Sequence, residues 1–200
     1  MTHTAWIGFG SNLGDKIANC RFGLACLMAT GIGSAGVVSR LYRTAPMHVL
    51  DQDWFVNGVA RLETGLDPEA LLDVLQDIQR RAGRTEGGVR FGPRILDLDI
   101  LFYDACILVG PRLILPHPRL HERRFVLQPA CDIDPCWIHP VIGSDLKTLL
   151  SGVQQPETSV QVIDDPNSDS LFVGISGLSF AQGGHYRQHS KGCRFEAPGK

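Results

Sequence analysis

Residues 90–102 read Arg90-Phe-Gly-Pro-Arg-Ile-Leu-Asp-Leu-Asp-Ile-Leu-Phe102. The Gly92-Pro93 pair marks a turn among basic residues, and beyond it Leu96, Leu98 and Ile100 alternate with Asp97 and Asp99, the period of a strand. Strand side chains reverse direction at every residue, so Asp97 and Asp99 leave one face while the apolar set enters a core on the other. Two readings fit this spacing. The aspartates line the solvated face of an edge strand, or they form a carboxylate shelf that holds a divalent cation and, with the neighbouring arginines, an anionic substrate. Residues elsewhere in the chain are needed to separate them.

With 200 residues, 44% of them apolar and 20% charged, the chain can bury one substantial core and has material left over. Nineteen basic residues stand against 21 acidic ones, a net charge of -2, so there is no general polycationic surface and no nucleic acid partner is expected. A local basic site is still open, because Arg80, Arg81, Arg84, Arg90 and Arg94 crowd one region. The six cysteines are scattered, which suits a reduced compartment. Cys131, Cys136 and His139 do not have a standard zinc spacing. The first ten residues pass directly into strand-like sequence, so neither a signal peptide nor a membrane span is expected. The expected location is cytoplasmic, with a mitochondrial one open if a transit segment was removed.

Working outward, residues 4–10 read as a strand and Gly10-Ser-Asn-Leu-Gly14 as a turn into a helix that carries Ile17, Cys20, Leu24 and Leu27. That turn lacks the Lys-Ser/Thr pair of a P-loop, so a plain connection and a phosphate contact both remain open. A second strand is expected over 35–43 and a third over 54–63. In the third, Phe55 and Asn57 share a face, suited either to core packing or to stacking on a flat ring and reading its edge. Asp67-Pro68 opens a helix with a capping carboxylate and a proline at its first position; Leu71, Leu72, Leu75 and Ile78 form its stripe and Gly83 ends it. After the carboxylate strand, a short strand is expected near 106–109, helices near 124–130 and within 141–150, and a strand at 160–163.

The order β-α-β-β-α-β points to an α+β fold of ferredoxin-like type: an antiparallel sheet with both main helices on one face, plus C-terminal elements. Residues 1–163 form the expected domain. Residues 164–200 change composition and read as a low-periodicity tail or linker remnant. RNA-binding domains share this element order, but paired aspartates are a poor surface for a nucleic acid backbone.

Taken together, Gly10-Ser-Asn-Leu-Gly14, Tyr42-Arg-Thr-Ala-Pro46, Phe55-Val-Asn57, Leu71-Leu72, Gly83-Arg84, Arg90-Phe-Gly-Pro-Arg94, Asp97-Leu-Asp-Ile-Leu101, Leu115-Pro-His117 and Glu122-Arg-Arg-Phe125 resemble the 6-hydroxymethyl-7,8-dihydropterin pyrophosphokinase family over about residues 5–150. The resemblance implies transfer of pyrophosphate from ATP to the pterin hydroxymethyl group, releasing AMP, in folate biosynthesis. It implies that Asp97 and Asp99 bind two magnesium ions, with Asp99 also able to take the hydroxyl proton, and that Arg84 and Arg94 neutralise ATP phosphates. It implies nucleotide contacts from Gln76, Ile100, Arg112, His117 and Arg123. For the pterin it implies plates at Phe55 and Phe125, edge recognition by Asn57, and backbone contacts from Thr44, Pro46 and Met47.

Several positions depart from the family pattern. Gln79 stands where glutamate is usual, Phe91 replaces a frequent tryptophan, Phe55 a common tyrosine, and Glu86 makes the loop less basic. Gln79 and Glu86, with the unusual tail, motivate the alternative of a noncatalytic pterin or nucleotide-binding relative. The Gly87–Pro93 region and Asp51-Gln52 resemble the plant and protist branch, in which the domain is often fused to dihydropteroate synthase. The residues after Asp164 are too few for that enzyme's barrel, so the expected activity of this chain is the pyrophosphokinase alone.

Overall fold

A computed structural model describes residues 1–29, 36–46, 53–84, 92–154, 159–163 and 178–180. The elements in chain order are β1 (His3–Ser11), α1 (Lys16–Ala29), β2 (Gly36–Val38), β3 (Tyr42–Thr44), β4 (Phe55–Thr64), α2 (Pro68–Arg81), β5 (Asp97–Tyr103), β6 (Leu108–Val109), β7 (Ile114–Leu115), α3 (Arg124–Ile133), α4 (Leu146–Gly152), β8 (Val160–Val162) and β9 (Leu178–Phe180), with a 3-10 turn at Leu120–Glu122 before α3. This is a mixed α+β fold. Its main sheet runs β5-β1-β4-β2-β9, with β3 also paired to β4 and β8 to β3. Every pairing in it is antiparallel except β2 with β9.

Alternation along the strands divides the core in two. Ile7, Phe9, Val56, Leu62, Leu98 and Ile100 face one side, where they pack with Cys20, Leu24 and Leu27 of α1 and Leu71, Leu75 and Ile78 of α2. Trp6, Val59, Leu101 and Phe102 face the other and pack with Val126, Leu127, Ala130 and Ile133 of α3 and Leu146 of α4. The register between β1 and β5 slips at one point: Trp6 opposes Phe102 but Ile7 opposes Ile100. Leu101 is thus the extra residue of a bulge, which lets two successive side chains, Leu101 and Phe102, serve the same core.

Helix boundaries follow their capping chemistry. Asp67 Oδ1 accepts the Ala70 N–H at 2.9 Å at the start of α2, and Gly83 follows the helix at φ +100, where a side chain would be strained. The strand expected over 35–43 is instead two short ones. Between them the Ser39 hydroxyl accepts the Val59 N–H at 3.0 Å in place of a ladder partner, and Arg40 turns to Asp132. Asp132, nearly buried, also receives the Tyr42 hydroxyl, which fixes α3 against β3. The short helix expected near 124–130 runs on to Ile133. Leu178–Phe180, where no strand is legible in the sequence, joins the sheet parallel to β2. The periodicity noted at 171–175 lies outside the described residues. Among the described residues no helix is long and apolar enough to cross a membrane.

Candidate active site

The α3/α4 layer covers only part of its sheet face, and the uncovered part is a cleft of about 340 Å³. Its floor is built by register. Gly10 of β1 stands between Asn57 of β4 and Asp97 of β5, and Gly8 between Val59 and Asp99. The two carboxylates therefore flank a glycine strip on one side and the Asn57 amide flanks it on the other. The glycine at position 10 is needed for space: a Cβ there would come within 2.3 Å of Asn57 Oδ1 and 3.3 Å of the Val56 carbonyl. Asn57 Nδ2 donates to Thr44 Oγ1 at 2.6 Å. The amide is thereby oriented with its oxygen over Gly10.

Arginines and aromatics form the walls. Arg94, Arg119, Arg123, His117, Phe55 and Phe125 all line the cleft. Arg94 Nη1 donates to Asp97 Oδ1, and Arg84 Nη1 reaches the same oxygen at 3.2 Å. The Arg94 backbone is clamped to the end of β1, because its N–H donates to Asn12 Oδ1 at 2.6 Å and its carbonyl accepts the Asn12 N–H at 3.0 Å. Arg84 is steadied by Gln79, a buried residue whose Oε1 accepts both from Arg84 Nη1 and from the Leu98 N–H at 3.3 Å. On the facing wall the Arg123 guanidinium lies 5.5 Å from the centre of the Phe125 ring.

Enclosure sets the protonation of this site. Lost hydration, then the neighbouring Asp97 charge, push the Asp99 carboxyl up to about 6, against the pull of Arg123, Arg94 and Arg84. Asp99 is nonetheless open to water. The two observations are compatible, since a carboxylate on a cleft floor is touched by water from the mouth while the walls displace most of its hydration shell. Burial, followed by Arg123 and Arg119, pushes His117 down to about 4, so the imidazole is neutral near pH 7. Its Nδ1 accepts the Arg119 N–H at 3.2 Å, which leaves the ring proton on Nε2 as a donor.

Most of the expected residues meet at this cleft. Thr44, Phe55, Asn57, Arg94, Asp97, Asp99, His117, Arg123 and Phe125 line it, and Arg84 touches it through Asp97. Three expected nucleotide residues do not. Ile100 points its side chain into the α1/α2 core, as its even position on β5 requires once Asp97 and Asp99 take the cleft face. Gln76 is exposed on α2, which covers the opposite face of the sheet. Arg112 is paired with Asp73 and, at 3.9 Å, with Glu69 on the outer stripe of α2. Pro46 does not line the cleft but its neighbour Ala45 does. Met47, Glu86 and Phe91 lie outside the described residues.

The family model for 7,8-dihydro-6-hydroxymethylpterin-pyrophosphokinase matches residues 6–135. The chain belongs to this family. One relative, a 2-amino-4-hydroxy-6-hydroxymethyldihydropteridine pyrophosphokinase of Methylorubrum extorquens, is 40% identical over 131 residues, 66% of this chain and 82% of its own. A mitochondrial folate synthesis bifunctional protein of Arabidopsis thaliana is 46% identical over 134 residues, 66% of this chain but 23% of its own length. The chain thus spans about a quarter of such bifunctional relatives. The crystal structure of Plasmodium falciparum HPPK-DHPS wild type with pterin and p-hydroxybenzoate has the same fold, with a TM-score of 0.59 at 14% identity over 76% of this chain and 42% of that one.

Within the pyrophosphokinase family frame, the contacts that sequence reading missed are those made across the chain. Asn12 clamps Arg94 from 82 residues away, Gln79 holds Arg84, and Arg119 shares the His117 wall. Asn12 carried a signal as a member of the Gly10–Gly14 turn, and Gln79 as the residue standing where glutamate is usual; Arg119 carried none of its own. The depressed His117 value carries a pH prediction. The unfolded ring titrates near 6.5 and the folded one near 4, so its stabilising contribution is complete above about 6.5 and is lost as pH falls toward 4. His117→Gln is therefore expected to weaken the acid sensitivity of the fold in that window. Urea midpoints of wild type and variant, compared at pH 7 and pH 4.5, give the difference; equal acid losses in both would show that His117 is not the group concerned.

Proposed function

We propose that this chain transfers pyrophosphate from ATP to 6-hydroxymethyl-7,8-dihydropterin, giving AMP and the pterin diphosphate. The observation that carries the reading is the glycine floor bounded by Asp97 and Asp99 on one side and by Asn57 on the other, with arginines and two aromatic rings as its walls. Phe55 and Phe125 offer apolar faces to a flat ring, and the Asn57 amide, oriented by Thr44, reads its polar edge. The Thr44 and Ala45 backbone supplies further edge contacts in this reading, with Pro46 and Met47 next along the chain. Apposing the pterin hydroxymethyl oxygen and the β-phosphorus makes transfer effectively unimolecular.

The donor set suits magnesium. Two adjacent carboxylates with no third acidic, histidine or cysteine group beside them among the described residues match an ion that keeps waters and completes its shell with substrate phosphates. Asp97 and Asp99 would hold two such ions. Bound there, magnesium supplies neutralisation of phosphate charge and alignment of the triphosphate. Arg84 and Arg94, which donate to Asp97, would also bind the phosphates, and Arg123 with the His117 Nε2–H would bind them from the other wall. Ile100 would serve the adenosine end through its backbone on the edge strand β5, with Gln76 and Arg112 on the outer side of α2.

The core order β5-β1-β4-β2, with α1 and α2 on one face, supports reading the fold as an elaborated ferredoxin-like sandwich over residues 1–163, to which Leu178–Phe180 of the following segment adds an edge strand beside β2. Association with dihydropteroate synthase is the partner reading that the bifunctional relatives support, and a mitochondrial relative supports an organellar location as the alternative to a cytoplasmic one. Of the motives for the noncatalytic alternative, the one at Gln79 is weakened, because Gln79 still provides an acceptor for Arg84. Incubating the chain with ATP, magnesium and the hydroxymethyl pterin is expected to yield AMP and the pterin diphosphate. ADP as the nucleotide product, or folded protein without turnover, would overturn the reading.

A further inference from the structure

Arg119 lines the cleft beside His117 and Arg123, but neither the family resemblance nor the reaction proposed above gives it a part. Resting on that reaction, we propose that Arg119 and Arg123 form a two-arginine seat for the diphosphate group that is transferred.

The local fold builds this pair. The 3-10 turn Leu120–Glu122 has Arg119 at its N-cap and Arg123 at its C-cap, and Leu120 within it is fully buried. One anchored turn thus brings both guanidinium-bearing residues to the same cavity. The Arg119 N–H donates to His117 Nδ1, and the Arg123 N–H donates to the Leu120 carbonyl at 3.2 Å, so the backbone at both ends of the turn is fixed.

Charge then specifies the ligand class. Burial, and then the nearby Arg119, disfavour the charge of Arg123. Arg123 also feels Asp99 and Asp97, but these lie on the floor and would be engaged with magnesium during the reaction. A ligand with several negative charges relieves the crowding of two cations better than a singly charged one, and guanidinium forks match phosphate oxygens.

Position selects which phosphates. Arg84 and Arg94 are gathered at Asp97, whereas Arg123 lies over the Phe125 ring, the aromatic end where the acceptor hydroxyl would lie. The phosphates at that end are the two that leave ATP and stay with the pterin. The seat would hold them both before and after transfer, and Arg119 accordingly contributes to retention of product as well as to ATP binding.

Calorimetry with inorganic pyrophosphate in the presence of magnesium tests this on the full chain. Arg119→Gln is expected to weaken pyrophosphate binding about tenfold or more, the scale of one charge-assisted hydrogen bond, while AMP and pterin affinities stay at wild-type values. Arg119→Lys, which keeps the charge but not the fork, should fall between. Unchanged pyrophosphate affinity in Arg119→Gln overturns the seat, as does an equal loss of AMP affinity, which would place Arg119 at the leaving nucleotide. An equal loss of pterin affinity overturns it too, since Arg119 would then merely shape the wall. A wild-type chain that turned over no ATP while Arg119→Gln still lost pyrophosphate affinity would remove the proposed reaction and leave the seat standing.

Discussion

Asp97→Ala and Asp99→Ala are each expected to reduce turnover about a thousandfold or more, the upper range for loss of one preorganised charge-stabilising group, with pterin affinity near that of the wild type. The separation follows from register. The carboxylates oppose Gly10 and Gly8 on the β5 side of the floor, whereas Asn57 opposes Gly10 on the β4 side, so truncating an aspartate removes nothing that touches the ring pocket at Phe55 and Asn57. AMP production at saturating substrates measures the first quantity, and calorimetric titration with the pterin measures the second. Near-native turnover by either variant at modest magnesium would take that aspartate out of the metal-holding role.

Asp99 adds a stability effect of opposite sign in metal-free protein. Its folded carboxyl titrates at about 6, above the ordinary value of 3.8. Between these values the folded chain holds a proton that the unfolded chain has released, so stability falls as pH rises through the interval and the cost is complete above about 6. Asp99→Asn is expected to raise the melting temperature in chelator at pH 7.5 and to change it little at pH 4, with added magnesium narrowing the gap by binding the wild type alone. A variant that melts lower than wild type at pH 7.5 would show that Asp99 stabilises the empty cleft. A charge that costs stability until its ligand arrives is expected of a site built for binding.

The same residues show how far a linear reading reaches. Period-two alternation suffices to put Asp97 and Asp99 on one face and Phe55 and Asn57 on another strand's equivalent face, because strand geometry leaves no other choice. It does not say that the two faces are the same surface of one sheet, nor that α3 and α4 leave part of it open; those facts come from pairing across β1 and from where Asp132 ties α3 to Arg40 and Tyr42. The bulge at Leu101 is likewise invisible in sequence, since Leu101 and Phe102 are both apolar and either could continue the alternation. Gln76 and Gln79 lie on one helix three residues apart, and only packing reveals that Gln79 is buried against Arg84 and Leu98 while Gln76 is exposed. Asn12, Gln79 and Arg119 act through contacts to partners set by tertiary structure, for which no local period exists.

Arg94→Ala is expected to lower kcat by about a hundredfold to a thousandfold, as when one donor is removed from a preorganised oxyanion site, again with pterin binding intact. The guanidinium is poised at Asp97, on the β5 side of the floor, and its placement depends on the paired bonds between the Arg94 backbone and Asn12. Asn12→Ala removes the side-chain acceptor of the Arg94 N–H but leaves the Asn12 N–H bonded to the Arg94 carbonyl. It should therefore loosen the arginine without deleting it and cost about tenfold, the usual scale for a hydrogen bond to a positioned group. The two effects cannot be independent if Asn12 works by holding Arg94. In the double variant, Asn12→Ala should add little to the loss already caused by Arg94→Ala, giving a clear non-additivity in kcat. Multiplying effects would mean that Asn12 serves the cleft by another route, such as the shape of the Gly10–Gly14 turn, and that the clamp between β1 and the arginine is structural only.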